Sequence, residues 1–561
     1  MSIINIYNDI TLSFDGTQYI VGSDTYTSFP ISIVNTSDTQ LIVTLDFSQP
    51  IDTNTNYIII ESKNLTFDGQ NNTISISATN YPGLIQSTNL YYTNIIVQNI
   101  IVSNSGSGSL IGDAGSIIQS NSYNCTVKNC SSNFDLSSRC GGIIGAYCTN
   151  CIANNCFSTG NISDRSGGIF GALSRDCTAN YCYSTGIISS SGGIFGIRSY
   201  SSIDKTCTAN FCYSTGFITS GGSWGSGGIF GSYCNNITGT GTCIANFCYS
   251  TGNIGGIGDT NNGGIFGQWC NDVPYNSKSI ANFCFSLGNI GDTNGGIFGY
   301  SSYPGCITTN CFSTGSIGQN AGGIFAPNAG WSIATNCYSI GDIGTNAGGI
   351  FGTHCFSCEA TSCYSYGNIG NNAGGIFGSY AATVNDTNTV ICSASYCYSL
   401  GTLDSDAGSI FGPNAVGITS INCYTINGTS NQIIGPNNIN CTITNCLSED
   451  GGNWTNINAL STIGLNDNTW FITETNTPFL LLSYNNNIIT PFKYQYYYSP
   501  IVSDLNNAEI SIKYLTGFYI KPQDDPTVLS ANIIGYNITI YTSDINKQIV
   551  PDDLINLLSK K

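Results

Sequence analysis

The sequence predicts an all-β chain: a right-handed parallel β-helix (solenoid) with a small appended C-terminal domain. Three observations lead to that fold. One unit repeats along the chain, reading CIANNCFSTGNISDRSGGIFG at 151–171 and CITTNCFSTGSIGQNAGGIFA at 306–326. The second Cys of the unit recurs at 130, 156, 182, 212, 248, 284, 311, 337, 363, 397, 423 and 446, most often 26 residues apart. Such a period is short for a helix pair and fits one solenoid turn of three short strands. Residues 1–490 show no sustained helical periodicity, whereas alternating and Gly-bracketed apolar runs are frequent.

Within a unit, Cys-x-Ala-x-x-Cys reads as a short alternating strand. The Tyr/Phe-Ser-Thr-Gly that follows is a second strand closed by a Gly bend. Gly-Gly-Ile-Phe-Gly is an apolar third strand whose glycines permit tight corners. Steps of 30, 34 and 36 residues place insertions in a fixed frame: after the Gly-rich strand at 197–206, 232–242, 268–278 and 379–391, and before it at 217–226 and 253–262. Residues 1–110 read as less regular opening turns and a cap, and 111–450 as the Cys/Gly-rich repeats. Residues 451–490, with Trp454, Trp470 and the run Pro478 to Leu482, read as a C-terminal cap; 491–561 read as a β-rich tail domain ending in a short helix after Pro551. About 17 rungs at ~4.8 Å each would make a rod on the order of 80 Å long.

The segments Asn155-Cys156-Phe157-Ser158-Thr159-Gly160 and Gly167-Gly168-Ile169-Phe170-Gly171, with their equivalents over roughly 111–450, resemble the GLUG-type repeat of large surface proteins and adhesins. Leu65 through Ile74, including Asp68-Gly69, resembles the opening turns of pectin-lyase-like β-helices. The resemblance implies the fold. For function it implies a stalk or surface module, since such repeats stand beside unrelated activities. The chain departs from the family in its Cys density and in showing no secretion leader.

Composition narrows the function classes. Apolar residues make up 41% and aromatics 12%, enough for a long thin core and unlike a disordered chain. Only 8% are charged, the net charge is −18, and six of the 14 Lys and Arg lie after residue 490. A basic footprint for nucleic acid or anionic lipid is therefore missing. No apolar run reaches membrane-spanning length, and Met1 to Ile6 has neither the basic nor the apolar region of a signal peptide.

The 26 Cys admit two readings. Pairs five apart occur at Cys125/Cys130, Cys151/Cys156, Cys177/Cys182, Cys207/Cys212, Cys243/Cys248, Cys306/Cys311, Cys358/Cys363, Cys392/Cys397 and Cys441/Cys446, and another Cys follows the Gly-rich strand at 148, 234, 270 and 355. Stacked on successive rungs, they are either buried small hydrophobes or disulfide staples. His354-Cys355-Phe356-Ser357-Cys358 and Cys148-Thr149-Asn150-Cys151 have zinc-like spacing. The same Cys recur in rungs without the partner, so no metal and no cofactor is expected.

Two aromatic series repeat as well, one from Phe157 to Tyr424 after the second Cys and one from Phe170 to Phe411 in the Gly-rich strand. One could be core and the other covered by loops, or one could form an exposed stripe. Ile precedes each Phe of the second series, and both can point inward only if the strand bends between them. The insertions would stack into a lateral shelf, making Trp224, Trp269, Tyr200, Tyr233 and Tyr275 a candidate binding face.

Catalysis finds little support. One His, His354, argues against Ser–His or Cys–His chemistry. The Asp residues are scattered, with Asp404 and Asp406 the nearest approach to a glycosidase pair, placed in a turn. The expectation is a structural, non-enzymatic, surface-exposed rod, a virion fibre- or coat-type component at a virion or extracellular surface. The alternatives are an adhesin-like module binding glycans or proteins, and a carbohydrate-active β-helix enzyme. Expected partners are copies of itself, particle-surface proteins or glycans, without nucleic acid and without membrane insertion.

Overall fold

The computed structural model describes residues 1–448, except 88, 107, 223, 236–240, 257, 272–276, 383–390 and 426–431, together with the backbone of seven short strands from Trp470 to Tyr541. The described residues up to 448 form a parallel β-solenoid of about 14 turns, and the described residues contain no helix.

Three stacks of strands run the length of the solenoid. The first holds the Cys-x-Ala segments. It starts with Ile10–Phe14 and Leu41–Phe47, continues through Leu65–Asp68, Ile95–Gln98 and Cys125–Lys128, and ends at Thr442–Thr444. The second is a 14-stranded parallel sheet from Thr73–Ile76 to Leu447–Ser448, made mostly of two-residue aromatic-Ser strands. The third begins with Ser2–Ile6, Ile31–Asn35, Ile58–Ile60 and Ile85–Ser87. Single bridges extend it through Ile118 and Ile144 to Phe170 and on to Phe411 and Ile434. One inward column thus changes from Ile to Phe without a break in register.

The corners follow from residue type. A left-handed residue sits between the first and second strands on each repeat rung, for example Asn129, Asn155, Asn310 and Asn336 at φ of 52 to 57°. Asn tolerates this region better than most side chains because its short amide bonds locally. On the third strand the backbone bends between Ile and Phe. The amides of Ile169 and Phe170 both donate to the carbonyl of Ile194, at 3.1 and 2.9 Å, and both side chains are fully buried. The bend allows both to face inward. It also brings backbone against the preceding glycines: a Cβ on Gly322 would lie 1.9 Å from the Phe325 carbonyl oxygen and 2.6 Å from the Gly352 nitrogen.

The core is apolar stacking along the axis. Phe170, Phe195, Phe230, Phe266, Phe298, Phe325, Phe351, Phe377 and Phe411 form one continuous pile with centroids 4.5 to 5.0 Å apart. Each such contact adds about 0.5–1.5 kcal/mol to the area buried. Opposite, the inward Ser column faces the second Gly of each Gly-Gly pair; a Cβ on Gly349 would meet the Ser365 Cβ at 2.8 Å. Only small residues fit this narrow waist. Outside, amides hydrogen-bond from rung to rung, as in Asn180 to Asn154, Asn210 to Asn180, Asn246 to Asn210 and Asn282 to Asn246 at 2.8 to 3.0 Å.

The observed turn count is below the 17 expected. Part of the N-terminal region is not a rung: Tyr19–Val21 and Asp24–Tyr26 fold back antiparallel onto the free edge of Ile10–Phe14. At ~4.8 Å per turn the described solenoid is about 65 Å long. The resemblance of Asp68-Gly69 to a structural turn has a local basis, since Asp68 accepts hydrogen bonds from the Gln70 amide (2.8 Å), Gln98 (2.9 Å) and Asn99 (3.1 Å). The expected C-terminal cap and tail fall almost wholly outside the described residues, as does the helix after Pro551. Within them, Tyr519–Pro522, Val528–Ile533 and Tyr536–Tyr541 form an antiparallel three-stranded sheet.

Candidate binding face

The Cys columns lie in the core. All 26 Cys are free thiols, and only Cys441 and Cys446 are partly exposed. The second Cys of every unit forms an unbroken column of twelve from Cys130 to Cys446. In this column each thiol follows the left-handed corner and donates to the carbonyl two residues before it: Cys156 to Asn154 at 3.3 Å, Cys248 to Asn246 at 3.3 Å, Cys337 to Thr335 at 3.2 Å. The first column comprises Cys125, Cys151, Cys177, Cys207, Cys243, Cys306, Cys358, Cys392 and Cys441. It admits Ser279 between Cys243 and Cys306, Ser332 between Cys306 and Cys358, and Ile418 between Cys392 and Cys441.

The third Cys series shares its column with serines that make the same bond. Cys270 donates to the Gly267 carbonyl at 3.3 Å, and Ser174 to that of Gly171 at 2.9 Å. A small side chain is what these positions demand. Burial pushes the Cys306 thiol well above its ordinary range and the Cys140 thiol up to about 11, so neither ionises readily. Among the described residues no group of three His, Cys, Asp or Glu side chains could hold a metal ion. His354 sits on a surface corner, stacked on Tyr380 at 4.8 Å with Nδ1 2.9 Å from the Thr353 hydroxyl; burial lowers its pKa. Asp404 and Asp406 are exposed on their turn.

Neither aromatic series is an exposed stripe. The Phe170 column is fully buried, and in the other column the side chains from Tyr213 to Tyr424 are at most 7% exposed. An aromatic column that the repeat analysis did not single out lies elsewhere. Tyr181, Phe211, Phe247 and Phe283 occupy the left-handed corner that other rungs give to Asn, at φ of 54 to 55°, and stack at 4.8 to 5.1 Å. Aromatic residues at the Asn position of four consecutive rungs were the available signal.

Of the five residues assigned to a lateral face, the structure brings three together. Tyr233 and Trp269 are successive members of a second left-handed corner column, which also contains Tyr147, Leu173, Arg198 and Asn328. Trp224 reaches this column from the 217–226 insertion. Its ring lies 5.1 Å from Tyr233 and 6.3 Å from Trp269, and Tyr233 lies 4.9 Å from Trp269. Tyr200 pairs through its backbone with Arg175 and makes no ring contact with the three among the described residues. Tyr275 falls outside the described residues.

Sequence reasoning passed over the arginines. All four in the chain, Arg139, Arg165, Arg175 and Arg198, lie on three consecutive rungs. Three of them cover aromatic rings: Arg139 over Tyr147 (5.8 Å), Arg165 over Trp224 (5.9 Å) and Arg198 over Tyr233 (5.4 Å). Their clustering in a cation-poor chain was the signal.

No protein-family model matches this sequence, and no curated protein matches it. The likeness to GLUG-type and pectin-lyase-like repeats therefore rests on the quoted motifs and the solenoid fold.

Proposed function

We propose that the chain is a structural, non-enzymatic rod, a fibre- or coat-type component displayed on the surface of a particle, with copies of itself or neighbouring surface proteins as partners. The observation that carries this reading is register. The Ile-to-Phe column runs from Ile58 to Ile434 without a gap, while inward positions are filled by stacked Cys, Ala, Ile and Phe. A close-packed interior of this kind transmits strain rather than deforming. The repeat exterior is largely amide and hydroxyl, with little charge, which suits a solvated surface element.

Antibodies raised against the purified chain provide the test, applied to intact particles and to soluble extract from the source. Labelling of intact particle surfaces, with straight rods about 65 Å long seen by electron microscopy of the isolated protein, is the expected outcome. Recovery only as a soluble species never associated with particles would overturn the proposal.

A further inference from the structure

The aromatic and arginine residues beside the 217–226 insertion differ from the rest of the exterior in two ways. They include arginines, which occur nowhere else on an otherwise acidic chain. They cluster Trp and Tyr rings at half-buried positions. Arg198, Tyr233 and Trp269 take left-handed backbone at φ of 55, 59 and 52°, as do the other members of the column, among them Leu173, Asn328, His354 and Tyr380 at 57 to 58°.

Not every cation there is available. Arg139 is held by Asp113 at 2.7 Å and donates to the Tyr147 hydroxyl at 3.1 Å. Arg175 and Lys205 both face Asp176, at 3.8 and 3.6 Å. Arg165 has only a loose neighbour, Asp164 at 3.9 Å, and Arg198 has no carboxylate partner among the described residues. Both guanidinium groups lie over rings, Arg165 on Trp224 and Arg198 on Tyr233.

We propose that Arg165, Arg198, Trp224, Tyr233 and Trp269 form a binding site for an acidic saccharide, a chain of sugar rings bearing carboxylate or sulfate groups. The C–H faces of pyranose rings match indole and phenol planes. The planar guanidinium fork matches a carboxylate or sulfate in two-point hydrogen bonding, and its seat over a ring limits its rotation. Two available arginines on a chain of net charge −18 suit a ligand with spaced charges. A phosphate polymer draws its affinity from many cations, and only two are available here. The site goes beyond a purely structural role by giving the rod a target.

The test uses the full chain and the intrinsic fluorescence of its tryptophans. Probes are an oligogalacturonate, its methyl ester, a chondroitin sulfate oligosaccharide and an oligothymidylate. Variants are Arg165→Asn with Arg198→Asn, and Trp269→Asn, each installing the residue this backbone conformation favours; Trp331→Asn, remote on the rod, is the control. At least one acidic saccharide is expected to bind saturably, its affinity falling about tenfold or more in the site variants, a loss of ~1.4 kcal/mol or more. The melting temperature and the control should stay unchanged, and the methyl ester should bind about tenfold more weakly than the free acid. Conservative Arg198→Lys, which keeps the charge and loses the fork, should also weaken binding. The proposal is overturned if neither acidic saccharide binds, if the ester binds as well as the acid, if the variants retain affinity, or if oligothymidylate binds more tightly through the same residues.

Discussion

At the scale of single residues, the rungs are selected by size and by backbone conformation. The inward Ser column shows how far size dominates. Ser158, Ser184, Ser214, Ser250, Ser286, Ser313, Ser339, Ser365 and Ser399 are buried, and their hydroxyls have no hydrogen-bond partner among the described residues. An unpaired buried hydroxyl costs about 1–3 kcal/mol, so Ser339→Ala should stabilise the protein by roughly 1 kcal/mol, seen as a higher denaturant midpoint at constant slope. A lower midpoint would mean that the hydroxyl has a partner. Corner residues obey conformation instead. Replacing Asn336, at φ 54°, with Ala should cost about 1–2 kcal/mol because a Cβ without a local hydrogen bond is disfavoured there, while Asn336→Gly should cost less in the same equilibrium unfolding experiment.

At the scale of the strand and its bend, the Gly-Gly-Ile-Phe-Gly segment is the least forgiving. Gly322→Ala would drive a methyl group into the Phe325 carbonyl and the next rung's backbone. The variant should lose several kcal/mol, more than ~3, or fail to accumulate as folded protein. Gly256→Ala meets only the tip of Phe217, at 3.7 Å, and should leave the melting temperature nearly unchanged. Equal effects at the two positions would refute the close-approach argument. This element was legible in the sequence: repetition exposed the unit, and Gly bracketing exposed the tight corners. The direction of Ile169 and Phe170 was not, because a period-two strand allows only one of them inward. The shared carbonyl of Ile194, which accepts from both amides, is a tertiary feature of the neighbouring rung. The same limit explains the binding face. Trp224 and Trp269 stood out by type, but the contacts of Trp224 with Arg165, Tyr233 and Trp269 depend on how an insertion folds over neighbouring rungs.

At the scale of the whole molecule, repetition replaces a globular core. Length comes from adding turns, and sparse charge leaves acid response to a few carboxylates. Threonine and glutamine hydrogen bonds, led by the Thr17 amide, hold Asp15 down to about 2. For Asp259, burial pulls upward, but bonds from Ser220, Thr219 and Asn262 outweigh it and lower the pKa. A carboxylate whose pKa is lower folded than unfolded contributes stability above its unfolded value, near 4, and loses it as pH falls through the folded value. The melting temperature should therefore drop between about pH 4 and 2, and Asp259→Asn should flatten part of that drop. An unchanged profile in the variant would remove Asp259 from the account.

The central claim is that a rod of about 14 turns is held by stacked core columns in which the Cys side chains serve as small buried thiols. Alkylation without reductant tests it directly. On the native protein, reagent should reach few thiols beyond the partly exposed Cys441 and Cys446; in denaturant, still without reductant, all 26 should react. Rapid modification of many thiols in the native state, or a denatured count well below 26 that only reduction restores, would contradict the account and show columns that are open or stapled by disulfides.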